Sequence, residues 1–208
     1  MALTETLQDN FDVDRLATLW PESYGGPTVT NGRVQVAVDT NYNGIQTDHT
    51  WTFNNSYIFF QAFMPAAGGA TVEAFCEALI QSGTGGTDIQ FGYNAVTGNL
   101  TMANRVGYND GGAVNITYNA TTHRWLRMRI SGGNILWDTS TDGITWTNRR
   151  STAASAWATS GTTLYVTIQG HRNNGTNDFF EIDNFNNIPK AELPRVINQA
   201  ALIRASTR

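Results

Sequence analysis

The sequence predicts an all-β protein: two antiparallel sheets packed face to face as a sandwich, followed by an extended or short-helical C-terminal tail. Three observations predict it. Apolar and polar residues alternate with period two in run after run. Gly, Asn and Asp gather at the breaks between runs, roughly a dozen residues apart, as in sheet-on-sheet folds. The composition agrees: of 208 residues 40% are hydrophobic and only 14% charged, the difference being made up by the Thr, Ser, Asn and Gly of turns and solvated strand faces. A chain of this length can bury one core, so residues 1–187 are expected to form one domain and 188–208 a tail.

The elements follow in order. Arg33 to Val38 places Val34, Val36 and Val38 on one face. Tyr57 to Phe63 is an apolar run closed by Pro65 and Gly68-Gly69. Residues 72–80 read two ways. Val72, Phe75, Cys76, Leu79 and Ile80 fit helical spacing, while Val72, Ala74, Cys76, Ala78 and Ile80 form a strand face with Glu73, Glu77 and Gln81 opposite. The flanking glycines and neighbouring strands favour the strand. Ile89 to Tyr93 alternates again, and the turn Val96-Thr97-Gly98-Asn99 leads into Leu100-Thr101-Met102. Val114, Ile116 and Tyr118 mark a further strand. From His123 to Ile130, Leu126, Met128 and Ile130 point one way and Trp125, Arg127 and Arg129 the other. Between Ile135 and Trp146, Asp142-Gly143 spells a tight type I′ hairpin, with Trp137 and Trp146 packed across it. Leu164, Val166 and Ile168 oppose Tyr165, Thr167 and Gln169, and Phe179 to Phe185 is the last strand. Beyond Asn187, Pro189 and Pro194 exclude a central strand.

Several function classes are disfavoured. A formal net charge of −4 offers no general attraction to phosphate backbones, so nucleic acid is not an expected partner. One cysteine, Cys76, excludes an intrachain disulfide, and with His49, His123 and His171 it is poor material for zinc. The first residues lack the basic and apolar regions of a signal peptide, and no apolar run reaches the roughly 18 residues of a membrane span. Asp39, Asn41, Asn43, Asp48, Asp138 and Asp142 suit structural Ca²⁺, but they are also ordinary turn formers, so no cofactor is assumed. No Gly-x-Ser-x-Gly elbow is present.

The order of several motifs carries a resemblance. Asp9-Asn10-Phe11-Asp12, Trp20, Gly32-Arg33-Val34, His123 to Arg129, Trp137 to Trp146 and Asp183-Asn184-Phe185 together resemble the concanavalin A-like lectin/glucanase jelly rolls. The likeness is strongest to LamG-like modules of bacterial surface proteins and bacteriophage tail proteins, and it covers residues 9–187. It implies a jelly-roll sandwich with Asn10-Phe11 beside Asn184-Phe185, and a concave sheet or loop rim that binds glycans. The glucanase branch carries Glu-x-Asp-x-(x)-Glu on one strand, its two Glu acting as nucleophile and acid/base. Glu181-Ile182-Asp183 matches the first half, but Asn184, Phe185 and Asn186 stand where the second Glu is needed. On that comparison no catalysis is expected, and the segment reads as the closing structural strand.

Sugar recognition uses aromatic faces and planar polar groups. The candidate carbohydrate-binding residues are Trp125, Arg127 and Arg129 on one strand and Tyr165, Gln169 and His171 on another, provided the two strands share a sheet. Stacking of these residues on one another, or beneath a loop, is the competing reading. The expected function is a non-enzymatic bacteriophage virion protein, a minor tail protein or a capsid decoration. Its partners would be other virion proteins through the C-terminal tail, further copies of itself, and host surface glycan, without nucleic acid or membrane insertion. A purely structural decoration or assembly protein, and a bacterial carbohydrate-binding module or glycoside hydrolase, are the alternatives.

Overall fold

The computed structural model describes residues 2–188, so the tail expected to serve as a docking arm lies, from residue 189 on, outside the described residues. The strands in chain order are β1 (Ala2–Leu3), β2 (Thr28–Thr30), β3 (Arg33–Val38), β4 (Asn43–Gln46) and β5 (Trp51–Thr52). Next come β6 (Tyr57–Phe63), β7 (Ala74–Gln81), β8 (Asp88–Asn94), β9 (Asn99–Arg105) and β10 (Val114–Thr117). The last are β11 (Trp125–Ser131), β12 (Asn134–Ser140), β13 (Thr147–Ala153), β14 (Tyr165–Arg172) and β15 (Asp178–Asp183). Two short helices, α1 (Leu16–Leu19) and α2 (Ala156–Ser160), and a 3₁₀ turn at Thr4–Thr6 complete the described elements.

Two antiparallel sheets form the sandwich. One has six strands in the order β10-β9-β8-β7-β14-β4, the other seven in the order β13-β12-β11-β6-β15-β3-β2. The segment that read as strand or helix is the strand β7, central in the six-stranded sheet. The alternation predicted the inward faces correctly. Val34, Val36 and Val38, then Leu126, Met128 and Ile130, enter the core from the seven-stranded sheet. Cys76, Ala78 and Ile80, with Val166 and Ile168, meet them from the six-stranded one. Burying the Val, Leu, Ile and Met side chains among them contributes roughly 1.5–3 kcal/mol each, which is why register follows the pattern: a one-residue slip would turn every one of them to water.

Two polar ties cross between the layers. The Trp137 indole, fully buried, donates its N–H to the Gln90 carbonyl at 2.8 Å. Arg150, on the edge strand β13, donates to the Met102 carbonyl of the opposite sheet and to Asp110 in the loop between β9 and β10, each at 2.6 Å. The segments around Asp9 and Phe185 meet as the resemblance implies. Asp9 and Phe185 exchange backbone hydrogen bonds of 3.0 and 2.7 Å, and the Asp9 carboxylate accepts from the Trp20 indole at 3.2 Å.

The Asp142-Gly143 hairpin differs from expectation. A type I′ turn needs positive φ at both central residues, and only Gly143 has it, at 74°. Ser140 Oγ instead accepts the amides of Asp142 and Gly143 at 3.1 and 2.9 Å, and Asp142 Oδ1 those of Ile144 and Thr145 at 2.8 Å. These bonds hold the Asp142 carboxyl down to about 2. Two side chains that satisfy four backbone donors make an open loop, 141–146, more favourable than the tight turn. Trp137 and Trp146 accordingly do not pack across it. Trp137 points into the core, while Trp146 lies on the outer face against Phe59, ring centroids 5.9 Å apart.

Candidate active site

The outer face of the six-stranded sheet carries a cleft of about 660 Å³. Strand alternation sends Glu73, Phe75 and Glu77 outward along β7 and its N-terminal extension, opposite the buried Ala74, Cys76 and Ala78. The register then sets the neighbours. Glu77 lies between Gln169 of β14 and Gly92 of β8, and Gly92, having no side chain, leaves the floor beside the carboxyl low.

Glu77 is held from both sides. Gln169 Nε2 donates to its Oε2 at 2.7 Å, and the Tyr24 hydroxyl donates to Gln169 Oε1 at 2.8 Å, forming a chain that starts outside the sheet. On the other side Arg105 Nη1 stands 3.7 Å from Glu77 Oε1. Arg105 also forks onto Asp88, with Nε to Oδ1 and Nη2 to Oδ2 both at 2.9 Å. Burial pushes the Glu77 carboxyl above the ordinary range; Arg105 and Gln169 pull against it, and Asp88 and Glu73 add to the rise. Burial also raises Tyr24 to about 12, with the charge of Glu77 adding to the effect. The phenol therefore keeps the proton it donates.

Glu73 sits four residues back on the same side of the strand, its side chain 42% exposed against 14% for Glu77. Its amide donates to Asn173 Oδ1, and its carbonyl accepts from the Asn173 amide, both at 3.1 Å. His171 Nε2 approaches its carboxylate to 3.8 Å. Phe75 lies between the two glutamates in sequence and packs against His171 and Tyr42, which stack on each other with ring centroids 4.3 Å apart. Two carboxyl groups therefore share one face, one sheltered and raised, the other open at the cleft. Unequal environments of this kind divide acid from nucleophile in carbohydrate chemistry.

The structure separates the carbohydrate-binding residues predicted from sequence. β11 belongs to the seven-stranded sheet and β14 to the six-stranded one, so Trp125, Arg127 and Arg129 lie on the opposite side of the sandwich from Tyr165, Gln169 and His171. Trp125 does face away from the core, but only 4% of it is exposed. The 141–146 loop covers it so closely that a Cβ on Gly143 would lie 3.0 Å from its ring. Arg127 and Arg129 both bind the buried Asp138, at 2.9 and 2.8 Å, and Arg127 also lies over the Trp146 ring at 4.3 Å. Trp125 is therefore closed off, and the two arginines, 22% and 29% exposed, are engaged by Asp138. On β14, Gln169 and His171 flank the glutamates, while Tyr165 stacks on His49 at 3.9 Å.

Glu181 sits in the seven-stranded sheet, bonded to Arg33 at 2.8 Å and to Gln35 at 2.5 Å. The carboxylate pair that sequence reasoning missed is Glu73-Ala74-Phe75-Cys76-Glu77. It has the Glu-x-Asp-x-Glu spacing with Phe75 at the middle position. With no Asp between its glutamates the segment departs from the motif, whereas Glu181-Ile182-Asp183 matches its first half. The acidic loop residues serve turns: Asp39 Oδ1 accepts the Asn41 amide at 2.7 Å and Asn43 Nδ2 at 2.9 Å. Asp138 lies within β12 rather than in a loop. Among the described residues no group of three or more His, Cys, Asp or Glu is placed to hold a metal ion.

No protein-family model matches the sequence, and no curated protein matches it. Solved structures do. A β-glucanase of Bacillus licheniformis aligns over 86% of this chain and 94% of its own, with a TM-score of 0.60 at 10% identity. A glycoside hydrolase family 16 endo-glucanase of Bacteroides ovatus covers 86% and 98%, with a TM-score of 0.55 at 9% identity. The transglycosylase Crh5 covers 85% and 80%, with a TM-score of 0.59 at 9% identity. These similarities run to glucanases and a transglycosylase rather than to virion proteins, and they correct the expectation of a non-enzymatic virion protein. At such low identity the fold is what is shared: this chain is a concanavalin A-like jelly-roll sandwich of the architecture used by family 16 glucanases.

Proposed function

We propose that the protein is a glycoside hydrolase or transglycosylase acting on a β-glucan held in the cleft of the six-stranded sheet. Glu77 is the acid/base and Glu73 the nucleophile. One observation carries this reading: two glutamates on the same face of a central strand and its N-terminal extension, with burial raising the one that must hold a proton. The glucanases and transglycosylase that share the fold support the class of substrate.

In the first step the Glu77 carboxyl protonates the glycosidic oxygen while the Glu73 carboxylate attacks the anomeric carbon. The C–O bond breaks, the leaving sugar departs as an alcohol, and a glycosyl ester forms on Glu73. In the second step Glu77, now ionised, takes a proton from water or a sugar hydroxyl, which displaces Glu73 from the anomeric carbon. Cα atoms four residues apart on a strand lie about 13 Å from each other. A retaining mechanism needs the carboxyls at roughly 5 Å, which requires both side chains to lean toward each other over Phe75. Phe75 cannot hydrogen-bond either glutamate, so Gln169 and Arg105 orient Glu77 from the sides.

Incubation with laminarin and with mixed-linkage β-glucan, followed by chromatography of the products, tests the reading. Cleavage or transfer products are expected, with Glu77→Gln and Glu73→Gln each lowering the rate by about 10²–10⁴-fold. Binding without products, or full activity in either variant, would remove the catalytic assignment.

A further inference from the structure

Resting on that reading of the cleft, we infer that Tyr108 is a sugar-stacking platform that holds one pyranose ring of the glucan beside Arg105. The tyrosine is 75% exposed and contributes to the cleft wall together with Arg105 and Gln169. Its backbone is strained. Gly107 and Tyr108 are the central residues of a tight turn closed between Val106 and Asn109, with φ of 61° and 68°. That is the type I′ pattern, whose second central position ordinarily falls to glycine. A bulky side chain in this region is an outlier that persists only where surrounding contacts impose it.

Those contacts are specific. The Tyr108 amide donates to the Gly86 carbonyl at 2.8 Å. The ring lies against the Gly85-Gly86 backbone: a Cβ on Gly86 would run into it, and one on Gly85 would stand 3.2 Å from its hydroxyl. One face is thus backed by glycine and the other left open. The turn is braced by Asp110, whose carboxylate accepts the Asn104 amide at 2.7 Å, the Gly112 amide at 2.9 Å and Arg150 at 2.6 Å. Burial alone would raise the Asp110 carboxyl, yet these bonds hold it below the ordinary range. An open aromatic face on a rigid mount beside a polar cleft is what the C–H face of a sugar ring packs on. It carries no charge, which suits a neutral polysaccharide.

Calorimetric titration of laminarin and mixed-linkage β-glucan into the unaltered chain, Tyr108→Phe, Tyr108→Ala and Tyr108→Gly, with a melting curve for each, tests the assignment. The Phe variant is expected to bind as the unaltered chain does, and the Ala and Gly variants about three- to tenfold more weakly. Tyr108→Gly relieves the backbone strain and is expected to melt at the same temperature or higher. Undiminished binding by Tyr108→Ala when the unaltered chain binds overturns the platform alone. A large drop in the melting temperature of Tyr108→Gly overturns it too, by making the tyrosine structural. No binding by the unaltered chain overturns the reading of the cleft, and this inference with it.

Discussion

Arg172 offers a test of how the far end of the cleft is held. It is 0% exposed, yet no carboxylate of the described residues lies within ion-pair distance. Its guanidinium binds backbone carbonyls instead. Nε donates to Val38 O at 2.7 Å, Nη2 to Ala66 O at 2.9 Å, and Nη1 to Ala67 O at 3.1 Å and to Thr176 O. Arg172→Met keeps the length of the side chain and removes every donor. The Val38 carbonyl, in the core, is left unsatisfied at a cost of about 2 kcal/mol, and the other three, at the surface, rehydrate at about 1 kcal/mol each. The variant also escapes the cost of burying the charge, which offsets part of that loss. The net expectation is about 2–3 kcal/mol, or roughly 5–10 °C in Tm for a domain of this size. Lysine keeps the charge but not the planar fork, so the expected order of stability is Arg, then Met, then Lys. Calorimetric melting and urea titration of the three proteins measure it. A Met variant as stable as the unaltered chain would refute the claim that four carbonyls compensate the buried charge; a Lys variant above Met would refute the role of the fork. Because Asn173, which holds Glu73, follows directly in the chain, Arg172→Met is also expected to lower turnover.

Further expectations follow from the same geometry. Glu77 has a raised folded-state value, so its stabilising contribution is complete below the ordinary carboxylate range and is lost as pH rises through the raised one. Glu77→Gln should therefore melt above the unaltered chain at pH 7 and lose that advantage near pH 4; equal melting curves at all pH values would count against the burial effect. Tyr24→Phe frees Gln169 from its anchor, and the apparent upper pKa of kcat/KM should move upward; a fall in rate with no such shift would mean that the chain does not reach Glu77. Asp138 behaves in the opposite sense. Burial would raise it, but Arg129, Asn148 and Arg127 together hold it low, so its contribution is present at neutral pH and is lost as pH falls through the lowered value. Asp138→Asn should cost about 2 kcal/mol at pH 7 by urea titration, less than for a fully buried pair because the two arginines are 22% and 29% exposed. The difference should narrow toward pH 2. Gly143→Ala meets both a positive φ and the Trp125 ring, so a loss of about 1–2 kcal/mol and a red-shifted tryptophan emission are expected.

The sequence alone determined which way most side chains face. Period two is a property of the strand itself, so Leu126, Met128 and Ile130 could be placed inward, and Glu73 and Glu77 on the face opposite Cys76, before any partner strand was known. It could not say which strands become neighbours. Gln169 meets Glu77 across 92 positions of chain, and β11 and β14, alike in pattern, went to different sheets because pairing depends on the whole topology. Nor does alternation say what lies above an outward face: Trp125 is outward and covered, Tyr108 outward and open. Turn chemistry was legible only in part, since the Ser140 and Asp142 side chains outcompeted the type I′ turn at Asp142-Gly143, while a turn of that pattern formed at Gly107-Tyr108, where the spelling is poor. The chemistry proposed for Glu77 is tertiary too. A glutamate on a strand face is an ordinary carboxylate until neighbouring strands exclude water from it, and only the folded sheet supplies that exclusion.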